Sequence, residues 1–286
     1  MKVDIIIATY NRPKLLEEAL ESVAGQTYPN WTCWIIEDGE TQETFETIKP
    51  FLEDNRFKYL PGEHVGFPTA PRNRGIRMGN AGYVAILDDD DLWLPEKLEK
   101  QVEFLGSHPD CVLLGCNAFY WSTTGNWKDS PLYFKTSMQK KVSYNLLLQQ
   151  NCLIHSSVIL RRTALEKAGL YNEKLDPPLG GDYELWLRVG TLGKISALPE
   201  PYVVFRQTPS TYYSKLDRRQ NYKATADIFE SALRGVGNIP SPLSFPENNH
   251  FAAACRRERD FYRKGPRFLG RFRHDTMSRI RYLLSS

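Results

Sequence analysis

Tyr83-Val84-Ala85-Ile86-Leu87-Asp88-Asp89-Asp90-Asp91 runs five largely apolar residues straight into four carboxylates. A short, continuously apolar run marks a strand buried on both faces, as in a parallel sheet covered by helices. Carboxylates ~5 Å apart repel by roughly 3 kcal/mol per pair at an effective dielectric near 20. An acidic surface turn, or a helix cap ahead of Pro95, tolerates that cost in water. A run placed at the mouth of a buried strand is better explained by a cation. Carboxylate oxygens suit Mg²⁺ or Mn²⁺, which proteins usually share with substrate phosphates.

Outward from this strand the pattern repeats. Val3–Ala8, Trp31–Ile36 and Phe57–Leu60 read as further strands. Between them lie helical patterns at Pro13–Val23, Thr41–Leu52, Ala70–Met78 and Pro95–Leu105. In the first, Leu15, Leu16, Ala19, Leu20 and Val23 recur at helical spacing, and Pro13 suits a first turn. The order βαβαβαβα predicts an α/β, Rossmann-like, mostly parallel sheet with helices on both faces. Ligands of such sheets bind at the carboxyl ends of the strands. The polar residues there are Thr9-Tyr10-Asn11, Glu37-Asp38-Gly39 and the four aspartates, so three loops are expected to form one site.

The second half is less regular. Cys111–Trp121 and His155–Arg161 read as strands, and Trp121–Tyr133 as a hairpin or loop. Helices are expected at Leu146–Gln150, Thr163–Ala168, Asp182–Val189 and Asp217–Leu233. Ile195–Phe205 reads as a strand bent at Pro-Glu-Pro, and Asn238–Asn249, with three prolines, as a linker.

Composition narrows the class. With 41% hydrophobic and 12% aromatic residues, the chain is too apolar for disorder. No stretch approaches 18 apolar residues, so no membrane-spanning helix is expected. The opening apolar run is short and holds Asp4, which argues against a secretion signal. Five cysteines without a C-x-x-C pair fit neither a disulfide framework nor a zinc finger, and point to a reduced, cytoplasmic compartment.

Five segments carry a family resemblance. They are Ile6-Ile7-Ala8-Thr9-Tyr10-Asn11-Arg12, Ile35-Ile36-Glu37-Asp38-Gly39, Pro71-Arg72-Asn73-Arg74-Gly75, Leu87-Asp88-Asp89-Asp90-Asp91-Leu92-Trp93 and Gly180-Gly181-Asp182-Tyr183-Glu184-Leu185-Trp186-Leu187-Arg188. In this order they resemble the motifs of family-2 glycosyltransferases, the fourth containing the DxD element. The resemblance implies a GT-A fold with an acceptor-side subdomain. It further implies metal-dependent, inverting transfer from a nucleotide-diphosphate sugar, expected to be a UDP-sugar.

The roles follow motif by motif as implications of that resemblance. Tyr10 stacks on the base and Thr9 lines its pocket. Asp38 accepts a hydrogen bond from the base edge, and Arg72 approaches the nucleotide. Asp88 or Asp89 holds the ribose hydroxyls, and Asp90 ligates Mn²⁺ or Mg²⁺. Asp91 caps the next helix or orients its neighbours. Asp182 is the candidate general base, positioned to take the proton of an attacking acceptor hydroxyl. Each also has a plain structural reading: an end-of-strand aromatic for Tyr10, a turn former for Asp38, a solvated helix arginine for Arg72, an N-cap for Asp182. Asn73 reads equally as a nucleotide-site or a helix-packing residue, Trp186 and Arg188 as packing residues, and His155 as an acceptor-cleft or structural histidine. The chain departs from the motifs at Gly181, where glutamate is usual, and at Thr208, where many relatives carry histidine.

The formal charge of +3 conceals an asymmetry. Residues 256–286 hold ten basic and three acidic residues, so the rest is net acidic. Basic residues there interleave with Phe261, Tyr262, Phe268, Phe272 and Tyr282. Such a tail suits peripheral contact with an anionic membrane or packing on the acidic body. No nucleic-acid module is visible. The expected division is 1–108 for the nucleotide sugar, 109–215 for the acceptor, both within one GT-A domain, and 216–286 as a helical, basic extension. The function expected is extension of a glycan or lipid-linked acceptor in surface polysaccharide synthesis, at the inner membrane face. Two rivals stay open: a sugar nucleotidylyltransferase, although Ala8–Lys14 lacks the glycine-rich loop of that class, and a non-catalytic nucleotide- or glycan-binding protein of the same fold.

Overall fold

The computed structural model describes residues 1–139, 142–175, 180–207, 218–236, 239–244 and 248–264. The first half is the alternation expected: β1 Val3–Thr9, α1 Pro13–Ala24, β2 Trp31–Glu37, α2 Gln42–Ile48, β3 Phe57–Leu60, α3 Thr69–Met78 and β4 Tyr83–Asp88. Then follow β5 Leu92–Trp93, α4 Lys97–Ser107, β6 Cys111–Trp121, α5 Thr136–Gln139, α6 Tyr144–Leu147, β7 Ile159–Arg161, α7 Arg162–Ala168, α8 Gly181–Val189 and β8 Lys194–Arg206. The chain continues through α9 Arg218–Arg234, β9 Gly235–Val236, β10 Ile239–Pro240 and α10 Asn249–Lys264.

Eight strands form one sheet in the order β3-β2-β1-β4-β7-β6-β8-β5. The first four are parallel to one another, and so are β6 and β8. The sheet continues from the first half of the chain into the second through the antiparallel β4–β7 and β7–β6 pairs. Pro199 and Glu200 bulge from β8, since Cys116 pairs with Leu198 and Asn117 with Pro201. Proline cannot donate to a ladder, which is why the irregularity falls there.

Alternate residues of the strands feed two cores. Ile5, Ile7, Ala85 and Leu87 face α1 and α4, burying Leu16, Leu20, Leu98 and Leu105. Ile6, Val84 and Ile86 face α3, α7, α8, α9 and α10, burying Ile76, Leu165, Trp186, Phe229 and Cys255. Helices therefore cover both faces, and this explains why the strands are apolar throughout. All five cysteines are buried and free. Gly75 lets α3 lie close against β2: a Cβ there would sit 2.8 Å from Ile36 Cγ1.

Several boundaries differ from the sequence reading, each for a local reason. The helix after Thr41 stops at Ile48 and a 3₁₀ turn at Phe51–Glu53 follows, with Pro50 as its N-cap. His155–Ser157 is a 3₁₀ turn, not strand. The helix read at Leu146–Gln150 lies earlier, at Tyr144–Leu147, where the Ser143 side chain caps it. The presumed linker holds β10 and a 3₁₀ turn whose Leu243 is fully buried. The short strand β5, pairing with β8, was not foreseen.

Candidate active site

β1, β2 and β4 are neighbours whose carboxyl ends lie level: Thr9 is opposite Glu37 and Ala8 opposite Asp88. The three polar loops therefore converge, as expected. Asn11 takes a left-handed φ of 51°, which turns the chain out of β1 toward α1.

The four aspartates do not share one environment. Asp88 receives Arg72 Nη2 at 2.6 Å and His155 Nδ1 at 2.8 Å. Burial disfavours its charge, but His155 and Arg72 outweigh that and hold the carboxyl well below its usual range. Asp89 accepts from Thr9 Oγ1 at 2.8 Å and from Arg12 Nη1 at 3.2 Å; burial nevertheless raises it. Asp90 meets the same Arg12 nitrogen at 3.1 Å. Burial, Asp88 and Asp89 push Asp90 up to about 6.

Asp91 is fully buried and accepts from Ser156 Oγ and, at 2.8 Å, from the Arg206 backbone N–H. It caps no helix, because α4 begins at Lys97; it ties the acidic loop to β8 instead. Below the loop, Lys97 is buried 3.8 Å from the Trp93 ring centroid and 2.8 Å from Gln101 Oε1. Burial pulls its ammonium down to about 7.

The expected nucleotide residues are distributed around this loop. Thr9 is buried and its hydroxyl serves Asp89 rather than an open pocket. Tyr10 is half exposed and stacks on His64, ring centroids 4.1 Å apart. Asp38 accepts the backbone N–H groups of Val65 at 2.7 Å and Gly66 at 2.9 Å. Arg72 leans over the Tyr171 ring at 5.8 Å, and its Nε has no hydrogen-bond partner. Asn73 holds both the N–H and the C=O of Tyr171, a packing role.

Asp182 stands in the first turn of α8, behind Gly180, whose φ of 66° suits a residue without Cβ. Asn151 Nδ2 donates to Asp182 Oδ2 at 3.1 Å. Burial works against the Arg72 charge, but Asp88 and, more weakly, Asp182 strengthen it. Beside Asp182, Gly181 packs against the start of α3, the helix that carries Arg72: a Cβ there would lie 3.2 Å from Thr69 Cγ2. Farther along α8, Arg188 and Glu184 form a fully buried pair at 2.6 Å that also binds the Leu170 carbonyl and Ser231. That and the buried Trp186 confirm their packing roles. Thr208 lies outside the described residues.

Arg12 carried no assigned role in the sequence, and the Asp88 contact of His155 was not read there. Arg12 pairs with Asp89 and Asp90, and a cation directly after a strand, facing four acids, was the signal. His155 bridges Asp88 and, through Nε2, the Tyr171 hydroxyl at 2.9 Å. Its partners lie 67 and 16 residues away, which no local period reveals.

Among the described residues no three carboxylate, histidine or cysteine side chains form a ready metal cage. The donor set instead offers Asp90, whose raised carboxyl sits beside two like charges and gains from a cation. One carboxylate, with diphosphate oxygens and water completing the shell, is the way Mg²⁺-type ions are commonly held.

The chain matches known proteins in sequence and in fold. The glycosyl transferase family 2 model matches residues 4–169. An uncharacterised glycosyltransferase of Rickettsia bellii is 31% identical over 68% of this chain, which spans only 28% of that protein. The UDP-Glc:alpha-D-GlcNAc-diphosphoundecaprenol beta-1,3-glucosyltransferase WfgD of Escherichia coli is 28% identical, over 82% of this chain and 89% of its own. Among solved structures, S. aureus TarS 1-349 in complex with UDP-GlcNAc superposes with a TM-score of 0.68 at 18% identity, covering 90% of this chain and 72% of that one. A mannosyltransferase of Pyrobaculum calidifontis, solved with GDP-Man and Mn²⁺, gives 0.59 at 18% identity, covering 99% and 78%. At these identities the structures establish the GT-A fold.

Proposed function

This chain belongs to glycosyl transferase family 2, and from that premise we propose that it moves a sugar from a UDP-sugar, with inversion, to a hydroxyl of a glycan or lipid-linked acceptor in surface polysaccharide synthesis. Residues 1–108 hold the donor and 109–215 the acceptor, with 216–286 as the extension. The observation that supports the reading is the meeting of Tyr10, Asp38 and the four-aspartate loop at the carboxyl ends of β1, β2 and β4, where Arg72 pairs with Asp88.

In this reading Tyr10 and Asp38 receive the base, and Asp88 or Asp89 the ribose. Asp90 is the protein ligand of Mn²⁺ or Mg²⁺, which supplies Lewis-acid stabilisation of the leaving diphosphate. Asn151 fixes one oxygen of Asp182, and the other takes the proton of the acceptor hydroxyl. A positioned base of this kind contributes ~10²–10⁴-fold. The substrates in the name of WfgD, UDP-Glc and an alpha-D-GlcNAc-diphosphoundecaprenol acceptor, support the donor and acceptor classes. No helix of the described residues is long and apolar enough to cross a membrane. A lipid-linked acceptor then calls for peripheral contact at the inner membrane face, and the basic residues beyond Lys264 supply the charge for it.

Asp182→Asn separates binding from chemistry. UDP-sugar affinity in the presence of Mn²⁺ should match the parent, while kcat falls by ~10²–10⁴-fold. Transfer at the parental rate would remove Asp182 from the mechanism.

A further inference from the structure

Tyr10 and Asp38, the two residues assigned to the base, are both engaged by one short stretch of the chain itself. The His64 ring lies on Tyr10 at 4.1 Å with an interplanar angle of 17°, the geometry of a stacked base. The backbone N–H groups of Val65 and Gly66 donate to the two oxygens of Asp38, the bond a base N–H would make. His64 Nδ1 also lies 3.1 Å from Asp38 Oδ2. A flat ring on the tyrosine and N–H donors on the carboxylate are the two features expected of the nucleobase.

The rest of this stretch is weakly held. Glu63 through Pro68 are all exposed. Val65 and Phe67 are each 49% exposed and belong to neither core. The chain is pinned before it, where Gly62 N–H donates to the Gly39 carbonyl at 3.1 Å, and after it, where α3 begins at Thr69. Gly66 has a φ of 85°, open to glycine and strained for other residues. Such a segment can leave without disturbing either core.

We propose that residues 63–67 are an internal stand-in for the nucleobase, with His64 as its ring, and that the donor enters by displacing them. This rests on the nucleotide reading given above. A ligand that binds only the open form has its apparent affinity reduced by the fraction of molecules that are open. His64 therefore lowers donor affinity by holding the pocket closed.

Calorimetric titration of UDP in saturating MnCl₂ tests this with the parent, His64→Ala and His64→Phe. His64 is 48% exposed at its side chain, so both variants keep the core intact. The alanine variant should bind UDP roughly three- to ten-fold more tightly, and phenylalanine, which keeps a stacking ring, should bind no more tightly than the parent. If His64→Ala binds UDP equally or more weakly, His64 does not compete with the base and the proposal is overturned. If His64→Phe tightens as much as alanine, the ring is not the obstacle and it is likewise overturned. A parent that binds no UDP at all would instead remove the nucleotide reading beneath it.

Discussion

Arg12 changes how the four aspartates are understood. Repulsion in the run is relieved unequally: Asp88 by Arg72 and His155, Asp89 and Asp90 by the single Arg12. Asp90 is left with its carboxyl raised from the ordinary 3.8 to about 6. A carboxyl raised in the folded state favours folding at low pH, and that contribution is lost as pH rises from 3.8 to about 6. A metal needs the ionised form, so binding must expel the proton. Mn²⁺ affinity, measured by titration in the presence of UDP, should be level above about pH 7 and fall toward roughly ten-fold per unit below pH 6. An affinity unchanged from pH 7.5 to pH 5 would show that Asp90 does not ligate the ion. At this scale the acidic residues were legible because they stand together in sequence. Their partners were not, because Arg72 and His155 reach Asp88, and Tyr171 reaches His155, only through the fold.

The strands of the first half were legible because burial on both faces makes them continuously apolar, and turn residues punctuate them. The second half mixes short antiparallel pairings with 3₁₀ turns, and its pattern is set by tertiary contacts such as Trp93 Nε1 to the Ser156 carbonyl at 2.7 Å. The end of the chain shows the difference between composition and packing. Residues from Arg256 read as one basic tail, yet α10 runs to Lys264 and belongs to the body. Its Ala252 and Cys255 are buried in a core, Tyr262 stacks on Phe229, and Arg259 and Arg263 both meet Glu230. The residues beyond Lys264 lie outside the described structure, and only they remain for a membrane role. A chain ending at Lys264 should keep the parental Tm and lose binding to vesicles containing anionic lipid, assayed by co-sedimentation. Equal sedimentation of the two chains would refute the membrane contact.

Across the whole molecule, one sheet links the first and second halves of the chain. β4 delivers the acidic loop, and the antiparallel return through β7 carries His155 and Ser156 back against it. The net charge of +3 therefore averages a local acidic centre against a basic end. The central claim is that this centre uses Asp90 to hold a divalent ion and, with it, a nucleotide diphosphate. The most direct test is calorimetric titration of UDP-GlcNAc into the full chain at pH 7.5, with Mn²⁺ and with EDTA, for the parent and Asp90→Ala. Saturable binding by the parent that requires Mn²⁺ and disappears in Asp90→Ala is the predicted result. Binding that is indifferent to Mn²⁺, or that survives unchanged in Asp90→Ala, would contradict it.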